Sequence, residues 1–241
     1  MDDTGLHQVQ NMAAKLAAII NMKGGVGKTT LSYNLAYELA ERGNSVLLID
    51  LDPQANATIL CADEQTLINH KKTKKTITDL FIDTYAPRGP IKGKPLPSQA
   101  LAEYVLNVFT GSKASSKFDL IPSDIYLSSV LRGISIGPFD LNLLVNEQTR
   151  NAYQYILVDC APTYSSLTTI KLNTCQAVLI PMIADSFGFF GTQLMKQIIE
   201  EHKYDFGIDV KVIGVVFMMR DKTATGTEYE NRYSCLKRRQ K

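Results

Sequence analysis

Residues 16–30 read LAAIINMKGGVGKTT, an apolar run that breaks into a glycine-rich loop and resumes as a helical pattern. Gly24, Gly25 and Gly27 permit positive φ and let backbone N–H groups approach an anion closely. The helix that follows adds the positive end of its dipole at the same place. Strand, loop and helix in this order make a phosphate cradle in which Lys28 reaches the β and γ phosphates of a nucleotide. The Thr29 hydroxyl is placed to bind Mg²⁺, a hard cation that keeps most of its other ligands as water. The usual pattern of such loops has glycine where this chain has Met22, and a second lysine, Lys23, comes next. That lysine suits charge neutralisation in phosphoryl transfer.

Working outward, apolar runs alternate with segments of helical period: 16–20, 29–42, 46–50, then 155–159, 165–175, 177–181, 189–203 and 210–218. The alternation predicts an α/β fold, a mostly parallel twisted sheet with helices on both faces. In the first helix Leu31, Leu35 and Leu39, with Ala36 and Ala40, recur four residues apart and should lay one stripe on the sheet. Gly43 falls where a helix-terminating glycine is expected. The run VLLI at 46–49 shows no alternation, as in a strand buried on both faces. Asp50 and Asp159 end apolar strands at the crevice where open α/β sheets bind ligands. Asp52 follows two residues after Asp50, and the two need not share a role.

The chain has 241 residues, 45% of them hydrophobic and 21% charged, which excludes bulk disorder. One domain spanning 1–241 is expected, with the middle, about 60–117, read as a decoration: it holds a lysine run at 71–75 and a Pro/Gly-rich stretch at 86–97. Lysine and arginine number 26 against 24 aspartate and glutamate, so the net charge of +2 is too small for the whole surface to act as a polycation. Any contact with nucleic acid must come from local patches, the Lys71 to Lys75 run or the tail Lys237 to Lys241. No apolar run approaches the ~18 residues of a membrane span, and no basic segment with a long apolar stretch opens the chain, so a cytoplasmic protein is expected. Cys61, Cys160, Cys175 and Cys235 form no C-x-x-C pair and read as reduced thiols.

KGGVGKTT (23–30) followed by LLIDLDPQANAT (47–58) resembles the ParA/MinD group of deviant Walker A ATPases, P-loop NTPases, and specifically its ParA branch. Similar features continue through DLIPSDIYLSSV, YILVDCAPTYSSLT, AVLIPMIADSFGFFGTQLM and VIGVVFMMRD, so that the resemblance covers roughly 14–221. It implies a Mg²⁺-dependent ATPase that works as a nucleotide sandwich dimer and partitions plasmid or chromosomal DNA. Gly24, Gly25, Val26, Gly27, Lys28 and Thr29 would hold the phosphates in cis, Thr30 would lie near the α phosphate, and Lys23 would reach the partner's nucleotide. Asp52 would position the attacking water, with Asp50 near the magnesium shell and Asp159 holding the ion through water. Segments 181–187 and 218–221 would border the base and the dimer face.

The resemblance further implies non-specific DNA binding by the ATP dimer, association with the nucleoid, and slow hydrolysis until a ParB-like or other cargo-bound partner stimulates it. The chain ends one or two helices before a typical member, and its last residues lack the apolar spacing of a membrane helix. Only about fifteen residues precede the first strand, so site-specific repression is not expected. Three other readings stand beside this one: positioning of a non-DNA cargo by the same cycle, a metal-cluster carrier of the nitrogenase iron protein type that would use Cys160 and Cys175, and a truncated, non-hydrolysing regulator.

Overall fold

The computed structural model describes residues 14–73, 75–85, 101–113, 115–133, 145–162, 172–175 and 177–219. The strands are β1 (Lys15–Ile19), β2 (Ser45–Leu51), β3 (Leu106–Thr110), β4 (Lys117–Ile121), β5 (Tyr155–Cys160), β6 (Ala177–Ile183) and β7 (Lys211–Met218). They form one sheet in the order β3-β4-β2-β5-β1-β6-β7. Every neighbouring pair is parallel except β3 with β4. The helices are α1 (Lys28–Glu41), α2 (Asn56–Cys61), α3 (Glu64–Lys72), α4 (Ile77–Tyr85), α5 (Leu127–Gly133), α6 (Glu147–Ala152) and α7 (Ser186–Phe206). This is the α/β architecture expected from the sequence.

Strand parity decides where the carboxylates go. Val46 and Leu48 pack with Ile19, Phe118, Leu120 and Leu157 against Ala36 and Ala40 of α1. Leu47, Ile49 and Leu51 join Leu16, Ile156, Val158 and Ile180 in a second core on the opposite face. Burial on both faces explains why the run shows no alternation. Because successive side chains alternate, Asp50 continues the Val46/Leu48 face and Asp159 the Leu157 face, so both carboxylates emerge under α1.

The leucine stripe expected on α1 is not its deepest one. Lys28, Ser32, Ala36 and Ala40 are the buried residues, and Leu31, Leu35 and Leu39 flank them partly buried. Short side chains along the contact let the helix sit close to the sheet, at interior packing density. That closeness brings Ser32 to Asp159.

Strand β6 runs two residues past Pro181, although proline removes a ladder donor. It is tolerated because the β1 pairing stops at Leu179, and the Asn21 side-chain amide donates to the Pro181 carbonyl at 2.7 Å. In the middle region Ile77, Leu80 and Phe81 of α4 are fully buried in the core opposite α1. The same region supplies β3, and β4 follows at its end; both strands lie outside the sequence expectation. Asp119 interrupts the apolar run of β4 and is buried, accepting from Tyr153 Oη at 2.8 Å and Asn107 Nδ2 at 2.9 Å, beside Lys117 at 3.1 Å. In the lysine run, Lys75 is paired with Glu103 and lies over the Tyr104 ring. Lys74, the Pro/Gly-rich stretch, Cys235 and the basic tail at 237–241 lie outside the described residues.

Candidate functional site

The loop leaving β1 is braced before it turns. Asn21, 1% exposed, accepts from the Lys23 backbone N–H through Oδ1 at 2.9 Å while its amide holds Pro181. Gly27, at φ 83°, stands immediately before α1, and a β-carbon there would meet Met218 Cε at 2.9 Å. No side chain caps the start of α1, so the first-turn N–H groups remain available to an anion. Lys28 is 7% exposed, and its Nζ donates to the Lys23 carbonyl at 2.9 Å. Gly24, Gly25, Gly27, Lys28, Thr29 and Thr30 line a cleft of about 490 Å³, closed on its far sides by Asp52, Asn56, Pro162 and Met219. Val26 is fully buried beneath the loop.

Asp50 and Asp159 are register partners on β2 and β5, both 0% exposed. Asp50 Oδ2 accepts from Thr58 N at 2.9 Å and Thr58 Oγ1 at 2.7 Å, and its Oδ1 accepts from Asp52 N at 3.0 Å. Burial, and then the charge of Asp159, push the Asp50 pKa up to about 7 against those bonds. Asp159 Oδ1 accepts from Ser32 Oγ at 2.8 Å, and Oδ2 has no hydrogen-bond partner among the described residues. Its pKa is raised, chiefly by burial, with Ser32 and the Thr29 hydroxyl opposing the shift. Strand β2 ends at Leu51, so Asp52 leaves the ladder and turns into the cleft, where its Oδ1 accepts from Gln54 N at 2.9 Å.

Lys23 is placed differently. Its ammonium lies 3.0 Å from Asp185 Oδ2, at the N-cap of α7, and 5.5 Å from the centre of the Phe187 ring. The expected loop residues and Asp52 thus share one cleft with Asp50 and Asp159 behind it, while Lys23 stands at the rim, tied to α7. The segment 181–187 borders that rim, and Met218 and Met219 border the loop; Arg220 and Asp221 lie outside the described residues. Ser32, Thr58 and Asn21 have no role in the sequence expectation, and Asp185 enters it only within the segment 181–187, although each touches a site residue. Only Asn21 carried a local signal, a polar residue ending an apolar strand.

The charge arrangement yields a stability prediction. A carboxyl whose folded pKa is raised contributes stability at low pH that is lost as pH rises through that value. Asp159→Asn removes one buried charge and leaves an acceptor for Ser32. It is therefore expected to raise the melting temperature of the ligand-free protein by several degrees at pH 8, at about 2–4 °C per kcal/mol, with the gain shrinking toward pH 5. Thermal unfolding at the two pH values checks this, and an equal or lower melting temperature at pH 8 would refute it.

Cys160 and Cys175 are 1% and 2% exposed in the core opposite α1. Sealed inside the protomer, they cannot hold a metal cluster between two copies, which removes the structural basis of the iron-protein reading. No helix among the described residues is long and apolar enough to cross a membrane.

Comparison with known proteins agrees with this geometry. A family described as an AAA domain matches residues 14–211. The chromosome partitioning protein ParA of Caulobacter vibrioides is 30% identical over 215 residues, spanning 86% of this chain and 70% of the relative. The sporulation initiation inhibitor protein Soj of Bacillus subtilis is 27% identical over 207 residues, spanning 86% and 73%. Cobyrinic acid a,c-diamide synthase from Mycobacterium smegmatis, solved with an ATP analogue and magnesium, superposes with a TM-score of 0.70 over 92% of this chain and 82% of that one. At 20% identity that likeness speaks for the fold. The extent of the family match and the identity to ParA together mean that the chain belongs to the AAA-domain family, on its ParA-type branch of partitioning ATPases.

Proposed function

We propose that this chain is an ATPase that binds Mg²⁺ and ATP in the cleft above β1, dimerises around the nucleotide, binds DNA without sequence preference, and is released when a cargo-bound partner speeds hydrolysis. The observation that carries the nucleotide reading is the juxtaposition of a helix-capping glycine loop with two buried, mutually repelling carboxyl groups. Such a pair is costly unless a cation compensates it. The residues fit magnesium: Thr29 points its hydroxyl toward Asp159, whose Oδ2 has no hydrogen-bond partner among the described residues, and Asp50 sits alongside. When bound, the ion would neutralise phosphate charge. The loop N–H groups from Gly24 to Thr30 and the Lys28 ammonium would orient the triphosphate, with Val26 packing the loop onto the core from below. Asp52, held in the cleft mouth by Gln54 N, would orient the attacking water.

The partition reading is supported by family membership, with ParA and Soj as relatives. It is tested by ATP-dependent binding to DNA of arbitrary sequence. Retention is expected with ATP and absent with ADP, and should fall by orders of magnitude between about 50 and 200 mM salt. Binding that ignores either nucleotide or salt would overturn the DNA arm.

Asp52→Ala is expected to keep nucleotide and accumulate as an ATP-bound dimer, with hydrolysis down roughly 100-fold, the scale of a lost general base. Light scattering together with phosphate release measures both. Normal turnover in the variant would remove Asp52 from the chemistry.

A further inference from the structure

Opposite the loop, the wall of the phosphate cleft carries Asp52, Gln54 and Asn56, all three from the turn that follows β2. The turn is closely defined. The Ala55 N–H donates to the Asp52 carbonyl at 2.8 Å, with Pro53 second in the turn, where its fixed φ is favoured. Asp52 Oδ1 accepts from the Gln54 N–H at 2.9 Å, the side-chain form of the same reversal. Beyond it Ala55 is held at φ 54°, and Thr58 ties the start of α2 to Asp50 through bonds of 2.9 and 2.7 Å. A non-glycine residue kept in this conformation by bonds on both sides is strain of the kind that clusters at catalytic turns.

The turn leaves two polar groups uncommitted. Asp52 commits Oδ1 to the backbone, while Oδ2 accepts no hydrogen bond among the described residues and is not sealed from solvent. Gln54 is exposed, and its carboxamide has no hydrogen-bond partner among the described residues. Because the Gln54 backbone is fixed on the Asp52 carboxylate, its amide swings about a point that moves with Asp52. Gln54 also lines a smaller cleft behind the turn, so it stands on the ridge between the two, within reach of the phosphate side. A carboxamide both donates and accepts without adding charge, which neither a carboxylate nor a lysine can do beside a triphosphate. Asn56 is exposed on the same wall, but it lies past Ala55, and no hydrogen bond connects it to Asp52.

We propose that Gln54 is a second catalytic residue of the hydrolysis: its amide carbonyl accepts one proton of the attacking water and its NH₂ donates to a γ-phosphate oxygen, while Asp52 Oδ2 takes the other water proton. This role rests on the nucleotide reading above. The water oxygen bonds to the γ phosphorus as the bond from that phosphorus to the β–γ bridging oxygen breaks. ADP leaves with the electron pair, and the transferred proton passes to Asp52 and from there to inorganic phosphate. A water held by one acceptor can still rotate, whereas two acceptors aim its lone pair at the phosphorus. The amide completes this geometry once nucleotide is bound, as catalytic hydrogen bonds commonly do.

The test combines turnover with a direct view of the amide. In the full chain with ¹⁵N-labelled glutamine side chains, the Gln54 NH₂ pair is identified by its loss in Gln54→Ala. The pair is expected to shift on adding Mg²⁺, ADP and aluminium fluoride, a mimic of the phosphoryl group in flight, and to stay in place with Mg²⁺ and ADP alone. Gln54→Ala should lower kcat roughly 10- to 100-fold and leave affinity for a non-hydrolysable ATP analogue within about threefold, the pattern of a contact made only in the transition state. Gln54→Glu should not restore turnover, because it accepts but cannot donate and adds charge beside the phosphates. Gln54 is exposed and its backbone N–H survives both substitutions, so the fold is expected to hold, which circular dichroism checks. Unchanged turnover in Gln54→Ala, or an amide that stays in place in a fluoride complex that does form, would overturn the role of Gln54 and leave the nucleotide reading intact. A wild-type chain that binds no ATP analogue would instead sink the nucleotide reading, and the role of Gln54 with it.

Discussion

Lys28→Ala is expected to abolish ATP binding and bring hydrolysis down to background, the largest loss any single substitution in this chain should produce. The lysine is 7% exposed and its Nζ already bonds the Lys23 carbonyl, so its ammonium is fixed over the loop before any ligand arrives. A preorganised charge in a partly enclosed site acts without reorganisation, and removing one such donor elsewhere costs on the order of 100- to 1,000-fold in rate. The site also holds two buried carboxyl groups, so loss of the ammonium would leave their charge less compensated around a bound triphosphate. Because burial of Lys28 makes a folding defect conceivable, Lys28→Gln is measured alongside, with circular dichroism and a fluorescent ATP analogue as readouts. A folded variant that still binds ATP with native affinity would remove the loop from nucleotide recognition.

The elements around this lysine were legible because local chemistry and fold coincide there. A strand, a glycine loop and a helix in sequence admit one geometry, and an aspartate ending an apolar parallel strand emerges at the ligand crevice. Asp159 and Asp50 stand near the ends of β5 and β2 as register partners, as that rule expects, and both are fully buried. Ser32 was not legible: it stands one turn before Ala36 on the buried row of α1 that also holds Ala40, but as a polar residue it did not count toward the apolar stripe, and its bond to Asp159 depends on how closely the helix approaches the sheet. Thr58 lies eight residues from Asp50, and only the strained turn at Ala55 brings it back. β3 and β4 were hidden by Asn107 and Asp119, polar residues whose partners include each other and Tyr153, far along the chain. Asp185 caps α7. That it also holds Lys23 follows from β6 running past Pro181 to deliver α7 beside the loop.

That last contact frames the second large effect. Lys23→Gln is expected to keep ATP binding and to abolish the ATP-dependent dimer, because under the proposed function Lys28 and the loop backbone would serve the cis phosphates, whereas the Lys23 ammonium lies against Asp185 of α7. The lysine's backbone carbonyl, which takes Lys28 Nζ, survives the substitution. In the single protomer the ammonium is engaged with Asp185, and a reach across a dimer seam must release it. The two side chains are 31% and 40% exposed, so the pair is worth at most about 1 kcal/mol, the usual scale for partly solvated ion pairs. Contact with a partner's triphosphate in a water-poor seam would be stronger than that, so that under the proposed function the exchange would run toward the dimer once ATP is bound. The same magnitudes make Asp185→Asn the diagnostic companion: asparagine keeps the α7 cap and loses the ion pair, so the dimer should form at an ATP concentration up to about fivefold lower. Light scattering across an ATP titration reads both variants. Dimers persisting in Lys23→Gln would place the bridging charge elsewhere on the seam, and an unchanged midpoint in Asp185→Asn would mean that the rim contact holds nothing back.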